Sequence, residues 1–416
     1  MSYFANLLST LFEHASSFTK VSSRKQTPLD DLCRELLTSK GEVSGAALAQ
    51  VILQRYAELD DAGKLAFFFQ LRDEFDLNID DAKMTLSIYE SQPDKKSYAA
   101  FMRAVDPQRQ ELVRRLNEVP GATAQLVAMR QDLLRLSKDH PDIAPVDYDF
   151  RNLFLSWFNR GFLVIRPINW TSPAHILEKI IAYEAVHEID SWDDLRRRLQ
   201  PEDRRCFAFF HPSMPDEPLI FVQVALTDSI SNSIQAILSD DREAISADVA
   251  TTATFYSISN CQQGLAGISF GNSLIKTVVQ TLSRELPELS VFVTLSPIPG
   301  FLGWCSDLDV ETNDLQTDEL RRLVAYYLLN AKREDNSPID PVARFHLNNG
   351  ALVHAIHSQA DISAKGMHQS AGVMVNYLYD LPHLAENHEE FATHNDVAAS
   401  HDVRNLASEA KKHIKF

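Results

Sequence analysis

Apolar residues return every three or four positions from about Leu29 to about Phe158, and no strand-like alternation interrupts them. Leu65, Phe68, Leu71 and Phe75 form one such stripe, opened by Asp60 and Asp61 as cap candidates. Val51, Ile52 and Tyr56 repeat the theme, as do Leu112 and Leu116 and then Leu126, Met129 and Leu133, with breaks at Pro93, Pro107, Pro120-Gly121 and Pro141. The pattern predicts an all-helical bundle over residues 1–158, whose stripes form its core and whose role is scaffold or oligomer contact. Nothing in this stretch has the look of a reactive constellation.

The period changes after Trp157. Phe162-Leu163-Val164-Ile165 is a short apolar run ended by Pro167, and Ser172-Pro173 then opens a helix through Ile176, Leu177, Ile180 and Ile181, with Ser172 as cap and Pro173 at the first helical position. Cys206–Phe210 and Leu219–Leu226 read as two strands joined by the loop Pro212–Asp216, a hairpin. Thr252–Ser259 is a further strand, entering the glycine-bearing loop Gln262–Gly267. A helix follows on Ile275, Val278, Val279, Leu282 and Leu286, then the strand Val291–Leu295. A hairpin followed by strand, loop, helix and strand indicates a mixed sheet with helices packed on it. Residues 159–416 are therefore expected to be a second, mixed-sheet α/β domain, making the whole chain α+β.

Composition narrows the functional classes. At 416 residues the chain suits two domains, possibly three, and 45% hydrophobic with 23% charged residues is the balance of a soluble globular protein. A formal charge of −17 argues against nucleic acid as a general partner, since polyphosphate would be repelled. It leaves room for a small anionic ligand held by backbone N–H groups. Cys33, Cys206, Cys261 and Cys305 lie far apart, with neither a zinc spacing nor a disulfide framework, as expected in a reducing compartment. No apolar run approaches the roughly 20 residues that a membrane span needs. The start lacks the basic region of a secretory signal, so cytoplasm is the expected location.

Four segments could carry chemistry. In the loop Gln262–Asn272, glycines at 264, 267 and 271 precede a helix whose free N–H groups suit a pyrophosphate, although turn chemistry alone also explains them. Ser296-Pro297-Ile298-Pro299-Gly300 stands at the carboxyl end of a strand, where sites in open sheets gather; either the prolines fix the hydroxyl's direction or the serine is incidental to a rigid loop. It is not the G-x-S-x-G elbow of hydrolases. His346, in Phe345-His346-Leu347, is either a hydrogen-bonded core residue or a proton donor. Tyr377 and Tyr379 share one face of a strand-like run from Gly372, for packing or for donation to an oxyanion. The fourteen histidines show neither HxH nor HExxH spacing, so no metal site is expected, and the acidic stretch around Glu386, Glu389 and Glu390 reads as a solvated face or tail.

From Asp147-Tyr148-Asp149-Phe150 to Asn376-Tyr377-Leu378-Tyr379 the chain resembles the malonyl-CoA decarboxylase family. The matching segments include Ser156–Leu163, Glu184-Ala185-Val186-His187, Val224–Thr227, Phe255–Ser259, Gln262–Leu265, Leu295–Phe301 and Asn349-Gly350-Ala351, in that order. The resemblance implies a helical N-terminal domain, a catalytic domain of acetyltransferase (GNAT-like) fold, and a homotetramer built as a dimer of dimers. It implies that Gln263, Gly264, Ala266, Gly267, Ile268, Ser269, Phe270, Gly271 and Asn272 cradle the CoA pyrophosphate. Ser296 and His346 fall on the family's essential serine and histidine, and Ser257 and Tyr379 on supporting positions. Some members carry an acidic residue where this chain has Ser269, so no carboxylate role passes to that position. Animal members carry organelle-targeting ends that this chain lacks.

The activity so implied converts malonyl-CoA to acetyl-CoA and CO2 through a thioester enolate protonated at carbon 2. No cofactor or metal is expected, because the thioester carbonyl itself takes the electron pair. Ser296 is expected to hold the malonyl carboxylate and His346 to donate the proton, although the two could instead share the enolate oxygen. The alternatives are an acyl-CoA N-acyltransferase, which needs an amine acceptor, and a non-catalytic CoA-binding sensor.

Overall fold

Side-chain caps fix where the early helices begin. In the computed structural model, which describes residues 27–268, 274–312 and 315–413, Asp60 accepts from the Gly63 N–H at 2.8 Å to open the helix Asp61–Asp73. Asn78 does the same for Ile79–Ser91, and Asp94 forms a reciprocal box with Ser97 ahead of Lys95–Ala104. Helices continue through Gln108–Leu116, Ala122–Leu136 and Ala144–Trp157. Their apolar stripes meet in a core that includes Leu32, Ile52, Phe68, Leu112, Leu126, Leu133, Phe150 and Phe154, all at most 1% exposed. Each such side chain contributes about 1.5–3 kcal/mol by leaving water. The helix Ile79–Ser91 buries no residue at all.

The chain divides into two compact units. The first gathers the described chain up to Leu163, with His211–Glu217 and residues 262–268; the second holds the rest. Mixed α/β architecture belongs to the second unit, which holds the strands β1 (Val164–Ile168), β2 (Arg204–His211) up to Phe210, β3 (Met214–Thr227) from Pro218 on, β4 (Thr252–Asn260), β5 (Val291–Thr294), β6 (Ser296–Pro297), β7 (Leu352–His357) and β8 (Met374–Leu378). They line up in the order β1-β2-β3-β4-β5-β8-β6, with β7 also on β8. β3 runs antiparallel to β4, with a bulge at Gln223/Val224, whereas β4 and β5 are parallel. Their register runs from Thr252↔Val291 to Phe255↔Thr294, and after the Leu295 N–H bond to the Phe255 carbonyl the two strands part.

Some boundaries differ from the expectations. β1 starts at Val164 and runs through Pro167 to Ile168, because an edge strand has one side on which a proline's missing N–H costs nothing. The helix Ala174–Tyr183 has Pro173, not Ser172, at its cap position; the Ser172 hydroxyl instead accepts from the Asn169 N–H. β3 begins at Met214, so the expected hairpin loop Pro212–Asp216 shrinks to Pro212-Ser213. His346 lies in a helix, Pro341–Asn348, whereas the acidic stretch is the solvated face expected, with Glu386, Glu389 and Glu390 exposed on the helix Leu384–His394, which buries Phe391.

Candidate active site

Where β4 and β5 separate, a cavity of about 260 Å³ opens. It is lined from β4 by Phe255, Tyr256, Ser257, Ile258 and Asn260, from the end of β5 by Leu295, Ser296 and Pro297, and from the helix Pro341–Asn348 by Phe345 and His346. Ser296 occupies this place because β5 turns at Leu295 into the short β6, which pairs with β8 at Val375 and Met374.

Ser296, His346 and Tyr379 form one hydrogen-bonded chain. The Ser296 hydroxyl donates to Thr294 Oγ1 at 2.8 Å and lies 3.1 Å from His346 Nε2. His346 Nδ1 lies 2.8 Å from the Tyr379 hydroxyl. Since Ser296 gives its hydrogen to Thr294, the consistent arrangement has Nε2–H donating to Ser296 and Nδ1 accepting from Tyr379. Tyr377 stacks on the imidazole, with ring centroids 4.5 Å apart and planes 23° apart, and Tyr379 meets Phe255 edge-on. Burial depresses the His346 pKa to about 3, so the imidazole is neutral. The same burial holds the Tyr379 phenol well above its usual value, protonated and able to donate.

Three residues that sequence reasoning passed over hold this chain in place. Thr294, fully buried, takes the Ser296 hydrogen and also accepts from the Tyr377 N–H at 3.1 Å. Asn376 donates to the Thr294 carbonyl at 2.7 Å, tying β8 to β5. Asp340 caps the His346 helix through the Ala343 N–H at 2.8 Å, and the Tyr327 hydroxyl donates to it at 3.4 Å. The Gly300 N–H, from the loop that follows Ser296, also faces this carboxyl, whose pKa burial raises. Gly300 leaves room for the arrangement, because a Cβ there would stand 2.6 Å from the Tyr327 hydroxyl. Only Asp340 had a signal in the sequence, as a cap-type residue directly before a proline.

Ser257 lines the same cavity and gives its hydrogen to Glu184, 2.8 Å from each carboxylate oxygen. Ser259 donates to the same carboxylate at 3.2 Å, Gln223 Nε2 at 3.2 Å, and the backbone N–H groups of Val186 and His187 at 2.8 and 3.0 Å. This buried carboxylate, inside the Glu184–His187 segment, was not singled out from sequence because its partners lie on three separate segments.

In the first unit, Gln263–Leu265 forms a short 3-10 turn, and Gly267 has a φ of 73° that favours glycine. Gly264 answers a packing need: a Cβ there would stand 1.9 Å from the Val127 carbonyl oxygen. Arg130 pins the turn, donating to the Gly264 and Ala266 carbonyls at 2.8 and 2.9 Å while its Nε donates to Asp147 at 2.7 Å. Gln263 accepts from Gln131 at 3.3 Å, and Ile268 is buried. Ser269, Phe270, Gly271 and Asn272 lie outside the described residues.

A neutral imidazole held between a serine and a tyrosine, in a cavity opened by two parting strands, is the layout of an acid–base site on a mixed α/β scaffold. Two family models match the chain: the malonyl-CoA decarboxylase N-terminal domain over residues 75–158, and the C-terminal domain over residues 161–316 and 307–416. The chain belongs to the malonyl-CoA decarboxylase family. The mitochondrial malonyl-CoA decarboxylase of Anser anser anser is 33% identical, with 80% of this chain and 78% of the goose protein covered, and that of Rattus norvegicus is 32% identical, covering 80% of each. The crystal structure of malonyl-CoA decarboxylase from Rhodopseudomonas palustris superposes with a TM-score of 0.86 at 46% identity, covering 91% of this chain and 98% of that one. The structure from Agrobacterium vitis gives 0.85 at 47%, covering 91% and 99%.

Proposed function

We propose that the chain decarboxylates malonyl-CoA at the cavity between β4 and β5, with Ser296 and His346 carrying the chemistry. The observation that carries this reading is the Ser296–His346–Tyr379 chain at the cavity wall, in a member of this family. The bond between carbon 2 and the carboxyl carbon breaks, and its electron pair passes into the thioester carbonyl to make an enolate. Carbon 2 then takes a proton, leaving acetyl-CoA and CO2. Ser296 turns its hydrogen from Thr294 Oγ1, which keeps the Tyr377 N–H, to hold the malonyl carboxylate, and His346 delivers the proton.

Burial keeps the imidazole neutral, so its extra proton must be taken up as the substrate binds. The malonyl carboxylate is an opposite charge beside His346 Nε2 and favours the imidazolium. Once CO2 has left, protonation of carbon 2 returns the imidazole to the neutral form that burial prefers. Tyr379, itself a poor acid, orients Nδ1 and does not supply the proton.

The parallel β4–β5 pair, parting in an otherwise antiparallel neighbourhood, supports a GNAT-like fold for residues 159–416. The helices up to residue 158 then form the scaffold through which a homotetramer assembles. The loop from Gln263 to Asn272 cradles the CoA pyrophosphate, as the helix start that follows it suggests. Four free, buried cysteines fit a reducing compartment, which favours cytoplasm as the location.

The test is turnover of malonyl-CoA to acetyl-CoA by purified protein, with EDTA present and no amine acceptor. Ser296→Ala and His346→Ala should each lose about 100- to 1,000-fold in kcat, the usual cost of one oxyanion-type donor, with circular dichroism unchanged. Losses under tenfold in both would reject the assignment. A folded, CoA-binding wild type without turnover would favour the transferase or the sensor.

A further inference from the structure

Glu184 is 9% exposed, is not among the residues that line the cavity, and is the acceptor of five donor groups. Two are backbone N–H groups, which cannot reverse, and both reach the same oxygen, Oε1. The Ser257 hydroxyl is 1% exposed and lies 2.8 Å from each carboxylate oxygen, so its single hydrogen is committed to Glu184. A hydroxyl has one hydrogen and two lone pairs. Ser259 Oγ lies 3.3 Å away with its own hydrogen on Glu184, so all that the Ser257 hydroxyl can offer the cavity this residue lines is an acceptor.

Malonyl-CoA offers very different partners along its length. Its carboxylate and its thioester oxygen are acceptors only, so neither can bond to a serine that has no hydrogen left to give. The amide N–H groups of the pantetheine arm are donors. We propose that Glu184 is a positioning residue that locks Ser257 as a hydrogen-bond acceptor, and that Ser257 thereby recognises an amide N–H of the acyl carrier arm instead of the reacting malonyl group. The inference rests on the reading that malonyl-CoA is the substrate. It divides the cavity into a reacting end, with Ser296 and His346, and an arm-reading wall, with Ser257.

Glu184→Gln tests it with little change of shape. The two backbone N–H groups keep the carboxamide oxygen at the Oε1 position, which leaves an NH2 where Oε2 was. The Gln223 amide can turn to meet that NH2, because its own Oε1 is buried without a partner. The two backbone N–H groups meet both lone pairs of that oxygen, so Ser257 accepts from the NH2 and swings its hydrogen toward the cavity. KM for malonyl-CoA should rise about tenfold, the worth of one hydrogen bond, and kcat should change by less. Ser257→Ala, which leaves Glu184 four donors, should give the same rise, and Glu184→Gln added to it should give no further one.

The deciding substrate is the malonyl thioester of 2-mercaptoethanol, which has no amide. Wild type and both variants should process it with equal kcat/KM. Ser257→Ala with normal KM for malonyl-CoA would overturn the proposal, as would multiplicative effects of the two changes or an equal loss on the amide-free thioester. If Glu184→Gln fails to fold, Ser257→Ala on the two substrates still decides. Failure of wild type to turn over malonyl-CoA would instead strike at the parent reading.

Discussion

Burial sets the charge of His346 before any substrate arrives, and that has two measurable consequences. An unfolded imidazole titrates near 6.5, whereas the folded one is held at about 3. Between those values the unfolded chain binds the extra proton, so stability rises with pH across the window and is lost as pH falls through it. His346→Asn removes this group. Its melting temperature should fall less steeply than wild type's between pH 6.5 and pH 4, and parallel curves would contradict the burial argument. The second consequence is proton uptake. Malonyl-CoA binding to Ser296→Ala, measured calorimetrically in two buffers of different ionisation enthalpy, should take up close to one proton near neutral pH. The same variant with His346→Asn added should take up none. At this scale the sequence was most legible where residue type limits chemistry: Ser296, His346 and Tyr379, singled out separately, meet in one chain. Thr294 and Asn376 were not legible, because a buried threonine or asparagine looks like any other strand residue until its partners are known.

Helix ends and tight turns decide how well those residues are held. Asp340 caps the helix that carries His346 and faces the Gly300 N–H beyond Ser296, so it joins the two elements. Asp340→Ala should cost about 1 kcal/mol for the lost cap and lower kcat as well. Asp340→Asn, which still accepts from the Ala343 N–H, should restore most of the melting temperature and much of kcat. Equal damage from both variants would mean that the charge, not the cap, matters. Gly264→Ala should destabilise the protein by more than the roughly 1–3 kcal/mol typical of overpacking, because what its Cβ meets is the Val127 backbone, which cannot swing away. Urea unfolding measures the difference. Periodicity gave the existence and type of most elements correctly, including the helices up to Trp157 and strands β2 to β5. It misplaced ends where a competing bond won: Ser172 bonds back to Asn169, and Met214–Asp216 find strand partners in place of a loop.

The order of the strands across the sheet was beyond periodicity altogether. β8 comes last in the chain yet lies between β5 and β6 and also pairs with β7, and that return brings Tyr379 to His346. The Glu184 cluster is hidden for the same reason, since residues 184, 223, 257 and 259 meet only after the sheet has assembled. The proposed assembly has a test at this scale too. Met84 and Ile88, one turn apart on a helix that buries nothing, stand 57% and 48% exposed, as do Tyr98 and Met102 on the next helix at 50% and 46%. Met84→Glu with Ile88→Glu should lower the mass measured by light scattering while leaving the far-UV spectrum intact; an unchanged mass would place the contact elsewhere. Finally, the parting of β4 from β5 leaves the stretch Tyr256–Asn260 with a ladder on its β3 side alone. Those backbone amides that face the gap should trade hydrogen for deuterium within seconds in the protein alone, an island of fast exchange inside a strand buried over most of its length. Binding of the thioester arm should slow them more than any other segment, giving a readout of occupancy that needs no chemistry to occur.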